Sequence, residues 1–162
     1  MKEVTIYTDG ACRGNPGPGG YAAVLIYKGQ RKTIKGGFRH TTNNRMEMLG
    51  VIEGLKALKE KCTVKLFSDS KYICDAVNKG WINKWKRTNW MRTQQEEVKN
   101  PDLWKEIDSM FNKHSVSINW VKGHSDNELN NAADEAAVEA SKDTANFQID
   151  NEFEKVCGLS FG

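Results

Sequence analysis

No apolar run in the chain approaches the ~20 residues that a membrane-spanning helix requires, so a transmembrane helix is excluded. The four cysteines, Cys12, Cys62, Cys74 and Cys157, show no paired C-x-x-C spacing, which leaves a zinc site unsupported. Met1-Lys2-Glu3-Val4 lacks the apolar core of a secretion signal. The expected location is therefore cytoplasmic, with free thiols rather than disulfides. Internal repeats and low-complexity runs are absent, and 38% hydrophobic with 28% charged residues excludes a disordered chain. What remains is a chain of 162 residues, long enough for one domain with a sizeable core.

Acidic residues are also missing from one stretch. Lys79 to Arg92 carries five bases (Lys79, Lys84, Lys86, Arg87, Arg92) and no acid, whereas the net charge of the whole chain is only +3. The segment from Thr144 onward holds three acids and one base, a net −2, so the first 143 residues carry +5. Trp81, Trp85 and Trp90 interleave with the bases. Read as pure structure, Trp81 and Trp85 would form one face of a helix with solvated lysines opposite. Flat aromatic surfaces beside positive charge also suit a nucleic-acid backbone and its sugars, and that reading is preferred here.

The first forty residues alternate or run apolar as three strands, Glu3–Asp9, Tyr21–Lys28 and Arg31–Arg39, with connections short enough for antiparallel pairing. Between the first two, Gly10 to Gly20 contains five glycines and two prolines, a tight turn that follows Asp9 directly. A helix is predicted over 43–59 from the stripe Met48, Val51, Ile52, Leu55, Leu58. Glu47 lies at its margin, where Asn44-x-x-Glu47 also fits a capping box. A strand over 63–68 ends at Asp69, itself a fair helix N-cap. Asn100-Pro101-Asp102 opens a further helix, and Val116–Val121 is the last strand. Ser125-x-x-Glu128 reads as a capping box for an alanine-rich helix that carries Asn130 and Asp134 on one face. The hydrophobics after Thr144, among them Phe147, Phe153 and Val156, suggest that this segment packs back on the domain or meets a partner.

Asp9, Glu47, Asp69 and Asp134 would repel one another if the fold brought them together, unless cations compensated. Hard divalent ions suit carboxylate oxygens. Two such ions roughly 3.5–4 Å apart activate water and stabilise the leaving oxygen in phosphoryl displacement. With a basic tryptophan stretch for a polyanion, phosphodiester hydrolysis is the coherent chemistry.

Four ordered motifs then carry a resemblance over about residues 2 to 142: Tyr7-Thr8-Asp9-Gly10 with Gly14-Asn15-Pro16-Gly17; Thr42-Asn43-Asn44-Arg45-Met46-Glu47; Ser68-Asp69-Ser70; and Val121-Lys122-Gly123-His124 with Asn130 and Asp134. The chain resembles type 1 ribonuclease H in its bacterial form. The resemblance implies an α/β fold with a five-stranded mixed sheet, three antiparallel strands then two parallel ones, flanked by helices. It implies a catalytic domain over 1–143, with 144–162 as a C-terminal extension. The implied activity is two-metal hydrolysis of the RNA strand of RNA–DNA hybrids, leaving 5′-phosphate and 3′-hydroxyl ends, in removal of RNA primers and R-loops. The implied cofactor is Mg²⁺, two ions with substrate, with Mn²⁺ as an alternative, and the family expectation is a monomer.

By the same resemblance, Asp9, Glu47 and Asp69 hold one ion, Asp9 and Asp134 the other, and His124 assists proton transfer or product release. Gly10, Asn15, Asn43 and Asn44 match positions that read the RNA strand and its 2′-hydroxyls. Thr42 and Asn100 match a pocket for a DNA phosphate. Trp81, Lys84, Trp85, Lys86, Arg87 and Trp90 match a basic handle on the DNA strand. No hybrid-binding domain is expected ahead of it, so the handle is expected to do most of the gripping. Lys71 stands where the family commonly has Gln and is read as a phosphate contact on the RNA side. Asp126 and Asn131 depart from the commoner Gly and Glu. The rival readings are a non-catalytic hybrid-binding module and a transposase-like or junction-resolving nuclease on the same fold.

Overall fold

The computed structural model describes residues 1–123 and 126–158. Its centre is a five-stranded sheet in the order β3-β2-β1-β4-β5. Strands β1 (Lys2–Cys12), β2 (Gly17–Tyr27) and β3 (Gln30–Thr41) pair antiparallel through short turns. Strands β4 (Cys62–Ser68) and β5 (Ser115–Trp120) run parallel to β1. Parallel neighbours need long crossovers. Helix α1 (Asn43–Lys56) supplies the first, and α2 (Lys71–Asn78), α3 (Trp81–Arg87) and α4 (Pro101–Lys113) form the second.

The predicted stripe of α1 is its core face: Met48, Val51, Ile52 and Leu55 are fully buried, against Ile6, Leu66 and Trp104. Helix α5 (Glu128–Lys142) packs on β2 and β1 through Ala136 and Ala137. Its approach requires a residue without a side chain at Gly20, where a Cβ would stand 2.6 Å from the backbone nitrogen of Ser141. No described helix is long and apolar enough to cross a membrane.

Several local expectations change. Pairing of Gly10–Cys12 with Gly19–Tyr21 prolongs the hairpin, so Asp9 lies within β1 opposite Ala22 rather than at its end. Helix α1 is capped by Thr42, whose Oγ1 accepts from the Arg45 N–H at 3.3 Å, and not by an Asn44–Glu47 box. Helix α2 is capped by Ser70, not Asp69. Helix α5 is capped by Asn127, whose Oδ1 accepts from Leu129 and Asn130, while Ser125 lies outside the described residues. Each carboxylate in question is thus released from a capping role, because a neighbouring hydroxyl or amide already satisfies the helix start.

The C-terminal segment docks on the domain. Gln148 exchanges backbone hydrogen bonds with Gly37 (2.8 Å) and Arg39 (3.0 Å) along the outer edge of β3. Helix α6 (Asn151–Val156) follows. Phe147 and Phe153 are half-buried, but Ile149 and Val156 are exposed, and Leu159 and Phe161 lie outside the described residues. The firmest attachment is polar: Glu154 accepts two hydrogen bonds from Arg39 at 2.9 and 2.6 Å, and Asp150 is held by Thr41 and Arg45.

Candidate active site

Register places the first two carboxylates. β1 and β4 are parallel neighbours in which Thr8 pairs with Ser68, so Asp9, within β1, stands beside Asp69, just past the end of β4. Glu47 reaches them because α1 crosses directly over β1. One carboxylate oxygen from each of Asp9, Glu47 and Asp69 lies within 4.8 Å of the others. Asp134 on α5 is half-buried and adds negative potential at Asp9, but lies outside that group of three.

The missing side chain at residue 10 makes the convergence possible. A Cβ on Gly10 would fall inside the α1 backbone, 2.5 Å from the carbonyl carbon of Met46. Gly10 is buried, and its N–H donates to Asp9 Oδ1 at 2.8 Å. The sequence marked Gly10 as an RNA-side position; in the fold its missing side chain admits the helix that carries Glu47. Gly10→Ala is expected to destabilise the protein by about 3 kcal/mol, through overpacking against backbone that cannot rotate away. Displacing Glu47 by ~1 Å is expected to lower kcat about a hundredfold. Thermal melting and steady-state kinetics check both, and a variant with the parent's Tm and kcat would contradict the packing argument.

The cluster is electrostatically frustrated. Burial, with repulsion from Asp69 and Asp134, pushes the Asp9 carboxyl up to about 7, against the lowering effect of hydrogen bonds at Glu47 and Gly10. Burial and the charge of Asp9 raise Glu47 well above the usual carboxylate range. Glu47 Oε2 is buried and has no hydrogen-bond partner. A buried acceptor left unpaired costs free energy, and a divalent cation would satisfy it while relieving the repulsion. The oxygen-only donor set is that of a hard ion. The residues fit a metal site.

At the start of α1, Thr42, Asn43, Asn44 and Asn100 line a cavity of about 670 Å³ together with Asn15, and none of the three clustered carboxylates lines it. Asn15 Oδ1 accepts from the Asn43 N–H at 2.9 Å, tying the glycine turn to the start of α1. Lys71 is exposed as the first residue of α2, and His124 lies outside the described residues. Trp81, Trp85 and Trp90 are each half-buried and packed on the core. The Trp85 ring lies 5.3 Å from Trp104 and 6.4 Å from Trp81. The indoles therefore scaffold the basic segment, and they leave Lys84, Lys86 and Arg87 exposed. Two features escaped the sequence. The Trp120 indole N–H donates to the Asp69 carbonyl at 3.1 Å. Asp150, from the C-terminal segment, reaches the start of α1. Neither leaves a local sequence pattern.

Fold and site together define a metal-dependent α/β nuclease: a mixed sheet with its carboxylates gathered where β1, β4 and α1 meet. Comparison with known proteins specifies which. The family model described as RNase H matches residues 1–142. The ribonuclease H of Desulforamulus reducens is 54% identical over 142 residues, covering 88% of this chain and 89% of that protein. That of Caldanaerobacter subterraneus subsp. tengcongensis is 58% identical over 139 residues, covering 86% and 91%. Among solved structures, LC9-RNase H1, a type 1 RNase H with the type 2 active-site motif, superposes with a TM-score of 0.80 at 29% identity, covering 97% of this chain and 81% of that one. LC11-RNase H1, solved in complex with RNA/DNA hybrid, shares the fold with a TM-score of 0.68 at 22% identity, covering 88% and 99%. The chain belongs to the ribonuclease H family of metal-dependent endoribonucleases.

Proposed function

We propose that the protein hydrolyses the RNA strand of RNA–DNA hybrids with two Mg²⁺ ions, leaving 5′-phosphate and 3′-hydroxyl ends, and so removes RNA primers and R-loops. The observation that carries the reading is the buried triad Asp9, Glu47 and Asp69 with its unpartnered Glu47 oxygen, in a chain of this family. Residues 1–143 are the catalytic domain and 144–162 an extension of it. Asp9, Glu47 and Asp69 would hold one ion, and Asp9 with Asp134 the other. When bound, the ions would supply an activated water and stabilisation of the leaving oxygen.

The chain's own residues grip and orient the substrate. Asn15, Asn43 and Asn44 offer amide groups to RNA 2′-hydroxyls, with Gly10 as a close-approach point for the RNA backbone. Thr42 and Asn100, brought together at the cavity, take a DNA phosphate, while Lys71 meets an RNA phosphate. His124 assists proton transfer or product release. Incubating the protein with Mg²⁺ and end-labelled hybrid, double-stranded RNA or double-stranded DNA tests the reading, with cleavage expected only in the RNA strand of the hybrid. Cutting of double-stranded DNA would favour the transposase-like alternative, and binding without cutting the non-catalytic one.

Lys84 and Arg87 on α3 are the handle's most available charges, since Lys86 is drawn 3.1 Å from Asp108. Reversing both to Glu is expected to weaken hybrid binding and to reduce the slope of log K against log salt by about two. An unchanged slope in a salt titration would reject the handle.

A further inference from the structure

The C-terminal segment reaches the cavity at the start of α1 as well as the surface of the domain. Glu152, Phe153 and Val156 of α6 form one wall of the same cavity that Thr42, Asn43 and Asn100 line. The link between the two walls is Arg45, which is buried and uses all five of its N–H donors on the protein. Its Nε donates to Asp150 Oδ2 at 2.7 Å, and one terminal nitrogen donates to Asp150 Oδ1 at 3.0 Å and Asp102 Oδ2 at 2.7 Å. The other donates to Asp102 Oδ1 at 2.9 Å and Asn100 Oδ1 at 3.2 Å.

Two consequences follow from these contacts. Because Arg45 takes the Asn100 oxygen, the amide NH₂ of Asn100 is turned away from the guanidinium and stays available as a donor. Asp150 also accepts from Thr41 Oγ1 at 2.7 Å, so one buried carboxylate grips residues 41 and 45, on either side of Thr42, Asn43 and Asn44. A planar guanidinium held by two forked carboxylates has a fixed orientation. With Asp150 removed, Arg45 keeps Asp102 but loses the second fork, and Asn100 and the start of α1 lose their common reference.

We propose that Asp150 is a positioning residue for substrate binding: acting through Arg45 and Thr41, it holds Asn100 and the Thr42–Asn44 segment in the geometry that receives the DNA-strand phosphate. The inference rests on the hybrid reading above. It assigns the C-terminal extension a share in substrate affinity, in addition to its contribution to stability.

The test compares Asp150→Asn with Glu154→Gln in the full-length chain, by steady-state cleavage of a hybrid in Mg²⁺ well below the Tm of each. Glu154 anchors the same helix on Arg39 without touching Arg45, so its variant controls for looser docking. The expected result is a KM raised about tenfold by Asp150→Asn, with kcat within about twofold, and little change in either constant for Glu154→Gln. A hybrid whose DNA strand carries neutral methylphosphonate linkages should bind more weakly to the parent and abolish the difference. If Asp150→Asn melts below the assay temperature, Thr41→Val removes one arm of the grip without unpairing a charge, and should raise KM about threefold. An unchanged KM in the Asp150 variant, or in Thr41→Val where that stands in for it, overturns the inference, as does an equal rise in Glu154→Gln. Failure of the parent protein to cleave the hybrid overturns the substrate reading itself and is recognised by its appearance before any substitution.

Discussion

Asp9→Asn is expected to reduce hybrid cleavage at least a thousandfold, roughly 4 kcal/mol of transition-state stabilisation, and at the same time to stabilise the metal-free fold near neutral pH. The two effects share a cause. Asp9 sits buried beside Glu47 and Asp69 because a cation is meant to lie among them, and without one its charge opposes folding. Its carboxyl is raised in the folded protein to about 7 from an ordinary value of 3.8. The folded state therefore binds the proton more tightly than the unfolded state. Stability from this group is fully present below about pH 4 and declines as pH rises towards 7. Asparagine mimics the neutral form at every pH. Denaturant unfolding in chelator should accordingly show a declining stability between pH 4 and 7 in the parent and a flatter profile in Asp9→Asn. Retained turnover in the variant would sink the metal-site reading. The difference between parent and variant isolates Asp9, and an equal pH dependence in the two would contradict the buried, repulsive cluster.

Arg45→Ala is expected to cost about 3–5 kcal/mol of stability, or a Tm lower by roughly 10 °C for a chain of this size. Arg45 is buried at 4% exposure, and its removal strands Asp150, itself buried, and the less enclosed Asp102. Burial alone would raise the Asp102 carboxyl, but hydrogen bonds from Arg45 outweigh it and hold that group below its ordinary range. Without Arg45 the two carboxylates face one another with no cation between them. Combining Arg45→Met with Asp102→Asn and Asp150→Asn should recover part of the loss, because a neutral cluster carries no unpaired charge. Thermal melts of the single and triple variants check this. A single variant within about 1 kcal/mol of the parent would show that the network is stability-neutral.

Much of this protein could be read from residue order. The stripe of α1 and the alternation of the strands arise from local periodicity, which reports which face of each element is buried. Glu47 and Asp69 were ambiguous on local grounds, because an acid near a helix start fits a cap as well as a site. Thr42 and Ser70 take the caps in the structure, and that is decided by which side chain reaches the free N–H groups. The three tryptophans were legible as a cluster but not in orientation: whether an indole faces solvent or Trp104 depends on α4, some twenty residues away.

Composition and pattern by themselves determined the α/β character of the chain, its four separated carboxylates, its basic tryptophan segment and its likeness to ribonuclease H. Tertiary structure decided how three of those carboxylates, Asp9, Glu47 and Asp69, meet. The parallel register of β1 on β4 sets Asp9 beside Asp69, and the missing side chain at Gly10 lets α1 deliver Glu47. It also decided the place of the C-terminal segment. There the spaced hydrophobics suggested apolar packing, but two buried carboxylates provide the grip, Asp150 on Arg45 and Glu154 on Arg39. An ion pair between residues more than a hundred positions apart leaves no periodic trace, because only the folded backbone brings its two halves within hydrogen-bond reach.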